Sequence, residues 1–549
     1  MRWRISGDRY LGILLGMILV AGMLGGGCGK EPVPKEPVKQ HLNYLLPAVP
    51  SSPDPGNLRN EADFQLITSL FEGLVRLNPD GTLEKALAED WQITDEGKKY
   101  VFTIREAHWS NGEKVTAFDF AAALKRNLDP QYNSPYAYLL YDIKNAEGYH
   151  RSLDNNYSGK KFGQEKVGIR AENEQTLVIE LQKKEPAFLQ KLVHPVFYPL
   201  PPQAFLASNN AFFSVSGLVG NGPFQLGREE AGERYELVKN KQYWGAEQIK
   251  LESMNWVLPG KVEDTWKMFQ EKRLDLTSAI PFSFVRQGLQ KGQLKSSPLL
   301  ACYFYQFNVT QKPLHDQRVR QALSYSLNRE ELIKKHLQGG QKPVWGIIPE
   351  GISDSAPGTD FRQKGGKIVS DGDCKKARQL LAEAGYPEGV DFPELELLIS
   401  ENEGHRYFAE KIREEWQKQL GITVNVSPLP WPELLKRMSE RKYDLALLGW
   451  SADYADPSVY LKSYITGSGN NDSGWVNSAY DEFMKEALSQ EQEELRLKAF
   501  HQAEDLLMEE LPVLPLYQYT KVYAAREGLK GIAVSPLGTG FDFKGTYVE

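Results

Sequence analysis

Residues 405–448 read HRYFAEKIREEWQKQLGITVNVSPLPWPELLKRMSERKYDLALL. Phe408, Ile412, Trp416 and Leu420 recur at steps of four, the spacing of one face of an α-helix, and Gly421 follows as a stop signal. Residues 423–426 alternate like a strand, 434–438 suit a short helix, and 443–448 form an apolar run that predicts a buried strand. Helix, strand, helix and strand in succession predict an α/β arrangement, a sheet with helices on its faces.

The same alternation extends outward. Residues 64–76 place Phe64, Leu66, Ile67, Leu70, Phe71 and Leu74 at helical spacing. Residues 100–104 (YVFTI) suit a strand, and Asp80-Gly81 and Asn111-Gly112 mark turns on either side. Helices are predicted over 118–128, 329–337 and 374–384, the last stopped by Gly385, and over 494–508, where Leu497, Phe500, Leu506 and Leu507 share a side. The polar, glycine-rich residues 354–373 read as a surface loop. No internal repeat is visible. A chain of 549 residues with 41% hydrophobic content is too long for one core and asks for two or three lobes.

The beginning of the chain has a different composition. Arg2, Arg4 and Arg9 precede an almost wholly apolar run over 10–24, then Gly25, Gly26, Gly27 and Cys28. Residues 1–27 have the marks of a secretory signal, and the apolar run falls short of the roughly 20 residues that span a bilayer. A cysteine at the cleavage point resembles a bacterial lipoprotein signal, with Cys28 as the lipidated residue. Gly25 stands where that pattern usually has leucine, so plain secretion stays open. Residues 28–40, rich in proline and charge, read as an extended tether.

Net charge is −7 with both signs interspersed, and no basic stripe suggests nucleic acid. Of the three cysteines, Cys302 and Cys374 lack metal-ligand spacing, and a disulfide between them stays open. No nucleophile elbow, zinc-protease helix or phosphate loop is present. Glu401 and Glu403 near His405 suit a solvated loop better than acid–base work. The chain is therefore expected not to be an enzyme and to need neither cofactor nor metal.

Several segments in fixed order carry a resemblance: Phe71-Glu72-Gly73-Leu74-Val75-Arg76, Trp109-Ser110-Asn111-Gly112, Val115-Thr116-Ala117-Phe118-Asp119-Phe120, Gly222-Pro223-Phe224, Val319-Arg320-Gln321-Ala322-Leu323, Leu381-Ala382-Glu383-Ala384-Gly385-Tyr386, Trp450-Ser451-Ala452-Asp453-Tyr454-Ala455-Asp456-Pro457 and Pro515-Leu516-Tyr517-Gln518-Tyr519. Together they resemble the family 5 extracellular solute-binding proteins, the oligopeptide- and dipeptide-binding receptors of ABC importers, over roughly residues 40–549. The resemblance implies a periplasmic-binding-protein-like clamp of the large three-lobed type II form, with mixed sheets flanked by helices and a hinge. Lobe I would be 41–71, 202–303 and 521–549, lobe II 72–201 and lobe III 304–520. Partners would be short peptides, ABC permease subunits and, through the lipid, a bacterial membrane, with the protein a monomer.

A receptor for many peptides should hold their constant parts: the backbone through strand edges and the ammonium end through a carboxylate. Asp453 matches the family's amine-binding aspartate. Asp456, before Pro457, suits a helix N-cap, so Asp453 is not needed there; a plain loop residue is the other reading of Asp453. Gly449, Trp450 and Ser451 match the segment that pairs with the peptide, Trp450 lining a side-chain pocket and Gly449 permitting close backbone approach. Arg59, Asn60 and Glu61 match the opposite edge. Tyr136 and Tyr519 match residues flanking the peptide, or are simply core. Trp431 is a pocket-wall candidate or ordinary packing. His405, at a helix start, matches a histidine for the peptide carboxylate, or is a solvated surface residue. The chain departs from its relatives at Leu447 and Met438, where basic residues are expected, with Arg437 adjacent to the second; peptide length preference is therefore left open. Ser451 stands where some relatives have a disulfide cysteine. A same-fold receptor for a non-peptide ligand (nickel, haem, an opine or a glycoside) and a peptide-sensing receptor without a transport role are the alternatives.

Overall fold

The computed structural model describes residues 38–206, 218–230, 232–356, 358–369 and 371–549. The signal segment, Cys28 and most of the tether lie outside the described residues. Strand β1 (His41–Leu45) leads to helix α1 (Glu61–Leu70). After a short hairpin of Val75–Leu77 and Leu83–Lys85 come β2 (Ala88–Thr94), β3 (Lys99–Ile104), β4 (Ile169–Ala171) and β5 (Thr176–Glu180), an antiparallel sheet in the order β2-β3-β5-β4. Helix α2 (Ala117–Asn127) packs on β4 and β5.

A second sheet crosses the whole of residues 40–549. Its further strands are β6 (Phe224–Glu230), β7 (Arg234–Lys239), β8 (Ser253–Val257), β9 (Leu276–Thr277), β10 (Lys295–Phe307), β11 (Lys342–Pro343), β12 (Leu395–Ser400), β13 (Val424–Leu429), β14 (Leu445–Ser451) and β15 (Val513–Ala525). The order is β13-β12-β14-β10-β15-β9-β1-β8-β7-β6, with β11 on β15. Among the described residues, β10 and β15 join the β13-β12-β14 side of this sheet to the β9-β1-β8-β7-β6 side. They pair antiparallel, and the register breaks between Pro298 and Cys302 and again at Tyr303 and Phe304. In the first break the Gln518 amide donates to the carbonyls of Leu299 (2.9 Å) and Glu350 (2.8 Å), so the gap is filled by a side chain instead of a ladder.

Local sequence explains the half that carries β12, β13 and β14. Asn402 caps α3 (Glu403–Leu420) by accepting from the His405 N–H at 3.0 Å. The helix ends at Gly421, whose φ of +71° glycine adopts without a Cβ penalty. Phe408, Ile412, Trp416 and Leu420 are buried as their spacing requires, and the Trp416 indole donates to the Leu323 carbonyl at 2.9 Å. Helices α3 and α4 (Trp431–Ser439) are the crossovers that make β12 parallel to both β13 and β14.

Two expectations change, and one open question is answered. The helix expected over 64–76 begins at Glu61 and stops at Leu70. Asn60 and Asp63 form a capping box that sets the start, and Phe71 turns extended. Phe71 and Leu74 are buried all the same, against the segments that follow α1 rather than along it. The loop expected at the surface over 354–373 is largely exposed or half-buried but is anchored by buried Asp354, Phe361, Arg362 and Val369. It holds a short helix, Phe361–Gly365, with Phe361 stacked on His501 at 3.8 Å, Asp354 bonded to His501 at 2.9 Å, and a buried ion pair between Arg362 and Glu504. Cys302, buried in β10, and Cys374, at the start of the helix Cys374–Glu383, are both free thiols.

Candidate functional site

Strand β14 offers an unpaired edge. On one side β10 pairs with it along its length, from Phe307 with Leu445 to Ala301 with Ser451. On the other, β12 reaches only Leu445 and Ala446. Beyond Ala446 that side has no strand partner among the described residues. Gly449 and Ser451 are exposed there and Trp450 is half-buried. A Cβ on Gly449 would lie 3.2 Å from the Tyr519 hydroxyl, so the missing side chain is what leaves room beside that ring.

The chain leaves β14 and reaches Asp453. Its Oδ2 accepts from the Tyr138 hydroxyl at 2.7 Å, and it has no ion-pair partner among the described residues. Burial raises the Asp453 pKa above the usual carboxylate range, and the Tyr138 bond opposes that shift. An uncompensated, half-buried carboxylate is costly by itself and is relieved by an arriving cation. The neighbouring Asp456 is occupied elsewhere: Oδ1 accepts from the Ser458 N–H at 2.9 Å and Oδ2 pairs with Arg496 at 2.5 Å, both buried. It thus caps the turn beginning at Ser458, and Asp453 is free of that duty.

Asp453 lies on the wall of a cleft of about 330 Å3, lined also by Glu61, Phe64, Tyr136, His194 and Ser451. Tyr136 is half-buried there, its ring 4.3 Å from His194 and 5.9 Å from Phe64. Opposite β14, the N–H groups of Arg59 (2.8 Å) and Asn60 (3.3 Å) both donate to Asp63 Oδ2, and Glu61 forms an ion pair with Lys521 of β15. The 59–61 segment is therefore the lead-in to α1, with these N–H groups turned inward.

A second group gathers at the other end of the free edge. Tyr519 faces Gly449, and its hydroxyl is 3.3 Å from His405 Nε2; His405 Nδ1 is 2.7 Å from Ser400 Oγ. Both ring nitrogens are engaged, and burial pushes the His405 pKa below its usual value, so the imidazole is neutral at pH 7. Trp431, at the start of α4, is 45% exposed and stands outside the cleft lining. Leu447 and Met438 are buried in the core, and Arg437 is paired with Glu396 at 2.6 Å. No free cation stands at those three positions. Tyr138 and His194 escaped the sequence reading. Tyr138 sits two residues after Tyr136 in a short turn, and His194 merely precedes a proline, so neither has a local pattern to distinguish it.

No helix among the described residues is long and apolar enough to cross a membrane. The family described as bacterial extracellular solute-binding proteins, family 5 Middle, matches residues 82–472. The dipeptide-binding protein DppE of Bacillus subtilis is 32% identical over 491 residues, covering 89% of this chain and 88% of the relative. The oligopeptide-binding protein OppA of the same organism is 30% identical over 565 residues, covering 100% and 99%. Among solved structures, the periplasmic murein tripeptide-binding protein MppA in an unliganded open form has a TM-score of 0.80 at 28% identity, covering 93% of this chain and 98% of that one. Haemophilus influenzae OppA in complex with the peptide RPPGFSPFR has a TM-score of 0.71 at 26% identity, covering 93% and 99%.

Proposed function

Because the chain belongs to the bacterial extracellular solute-binding proteins of family 5, we propose that it captures short peptides between two lobes and delivers them to an ABC-type importer. One observation carries the reading: Asp453, a carboxylate without a cation, lies on the cleft wall just past the unpaired edge of β14. A peptide offers both complements, an ammonium for Asp453 and a backbone able to add a strand beyond Ala446. Peptide-bound relatives and the names of the sequence relatives support the same ligand class.

In this reading lobe I (41–71, 202–303, 521–549) and lobe III (304–520) close on the ligand, and lobe II (72–201) supplies Tyr136 and Tyr138. The crossing strands β10 and β15, with their interrupted register, are the hinge. The closer match to an unliganded open relative than to a peptide-bound one supports an open cleft. Closure brings contacts to both lobes that exist only around ligand, so ligand shifts the equilibrium toward the closed form. Gly449, Trp450, Ser451 and Tyr519 take the peptide backbone and flanks, and His405, its ring nitrogens held by Ser400 and Tyr519, lies toward the carboxylate end. Arg59 and Glu61, in the segment that enters α1, border the peptide on the opposite side, and Trp431 borders the outer rim. The protein binds and releases its ligand unchanged, acts as a monomer, and is held to the membrane by lipid on Cys28.

Isothermal calorimetry with peptides of two to five residues, each free and N-acetylated, tests the proposal. Binding of the free forms and loss on acetylation are expected; equal binding of both forms refutes the role of the ammonium.

A further inference from the structure

His194 has two nitrogens in different situations. Nδ1 accepts from the Val196 N–H at 3.1 Å, which caps the turn Pro195–Phe197 and places the ring proton on Nε2. That Nε2–H is buried and has no hydrogen-bond partner. The residue is 4% exposed, yet it lines the same cleft as Asp453, between the rings of Phe64 (5.4 Å) and Tyr136 (4.3 Å). Buried donors are nearly always satisfied, so an orphan donor in a side chain that lines a binding cleft points to a ligand atom as its partner. Burial holds the imidazole pKa down at about 3, so the ring is a neutral donor throughout the physiological range.

We infer that His194 is a second polar contact for the peptide held at Asp453, its Nε2–H donating to an uncharged ligand oxygen. This rests on the peptide-binding reading above. The acceptor is uncharged because the cleft is lined by four carboxylates (Glu61, Glu72, Asp453 and Asp542) against two cations (Arg76 and Lys544), an excess that opposes a further carboxylate, and two aromatic rings flank the imidazole. Two sources present that chemistry: a main-chain carbonyl of the peptide, or a side-chain amide.

His194→Asn and His194→Gln separate the two nitrogens. The asparagine oxygen takes the place of Nδ1 and keeps the cap on Val196; the glutamine amide nitrogen takes the place of Nε2 and keeps the donor. Calorimetry with trialanine and with Ala-Gln-Ala, alongside melting curves, reads both roles. H194Q is expected to bind within about threefold of wild type despite a lower Tm, and H194N to keep its Tm but weaken about tenfold, the loss of one buried hydrogen bond. Weakening with trialanine identifies a main-chain carbonyl; weakening confined to Ala-Gln-Ala identifies a side-chain amide. H194N binding both peptides as tightly as wild type, or affinity falling with Tm in H194Q alone, would overturn the inference. A wild-type protein that bound neither peptide would remove instead the reading on which it rests.

Discussion

Replacing Asp453 by asparagine should weaken peptide binding and leave the empty protein at least as stable. The side chain keeps its shape, and the amide oxygen can still accept from Tyr138, which bonds Oδ2 at 2.7 Å in the wild type. What disappears is the charge. Its raised pKa shows that the folded, empty protein already holds an unfavourable carboxylate. The sign follows: a carboxyl whose pKa is higher folded than unfolded subtracts stability once pH rises above the unfolded value, so at pH 7 the substitution removes a penalty. In the complex the same change leaves an ammonium in the cleft without a counter-ion. Truncating one partner of such a pair costs about 2–5 kcal/mol, and because Asp453 is only half-buried the lower part applies, about 2–3 kcal/mol or roughly 30- to 150-fold in Kd. Calorimetry with trialanine at pH 7, paired with melting curves of the empty proteins, measures both effects. An affinity within threefold of wild type would refute the ion pair. A lower Tm for the empty variant would refute the claim that Asp453 is held at a cost.

Wild-type peptide affinity should fall on acidification as Asp453 takes up its proton, starting above the ordinary carboxylate range, and Asp453→Asn should lack that limb; calorimetry from pH 4 to 7 reads the difference. Tyr138→Phe removes the bond that lowers the Asp453 pKa, so the limb should move to higher pH, and an unmoved limb contradicts the assignment. Gly449→Leu puts a side chain where a Cβ already lies 3.2 Å from Tyr519, and should cut peptide affinity at least about tenfold with little change in Tm. Cys374 should react with a thiol reagent in the native protein and Cys302 only after unfolding, because burial also pushes the Cys302 thiol pKa up; simultaneous reaction would show that β10 opens.

Much of the fold was legible where local signals agree. Capping residues, glycine stops and steps of four located α3 and the helix Cys374–Glu383 to within a residue or two. The readings failed where burial came from distant partners. Phe71 and Leu74 mimic a helical stripe because both are buried, and nothing nearby in sequence says that Phe71 turns extended. Residues 354–373 look solvated because their polar groups meet partners such as His501 and Glu504 far along the chain. The site shows the same division. Asp453 was singled out by resemblance, with Asp456 as a local control. Its bond to Tyr138 spans 315 positions, and the orphan nitrogen of His194 exists only once the fold surrounds it.

Mass spectrometry of small molecules released from the purified, undenatured protein identifies what the cleft holds. A mixture of short peptides with free amino termini is expected, absent or strongly reduced from Asp453→Asn. A single non-peptide compound, retained equally by both proteins, would contradict it.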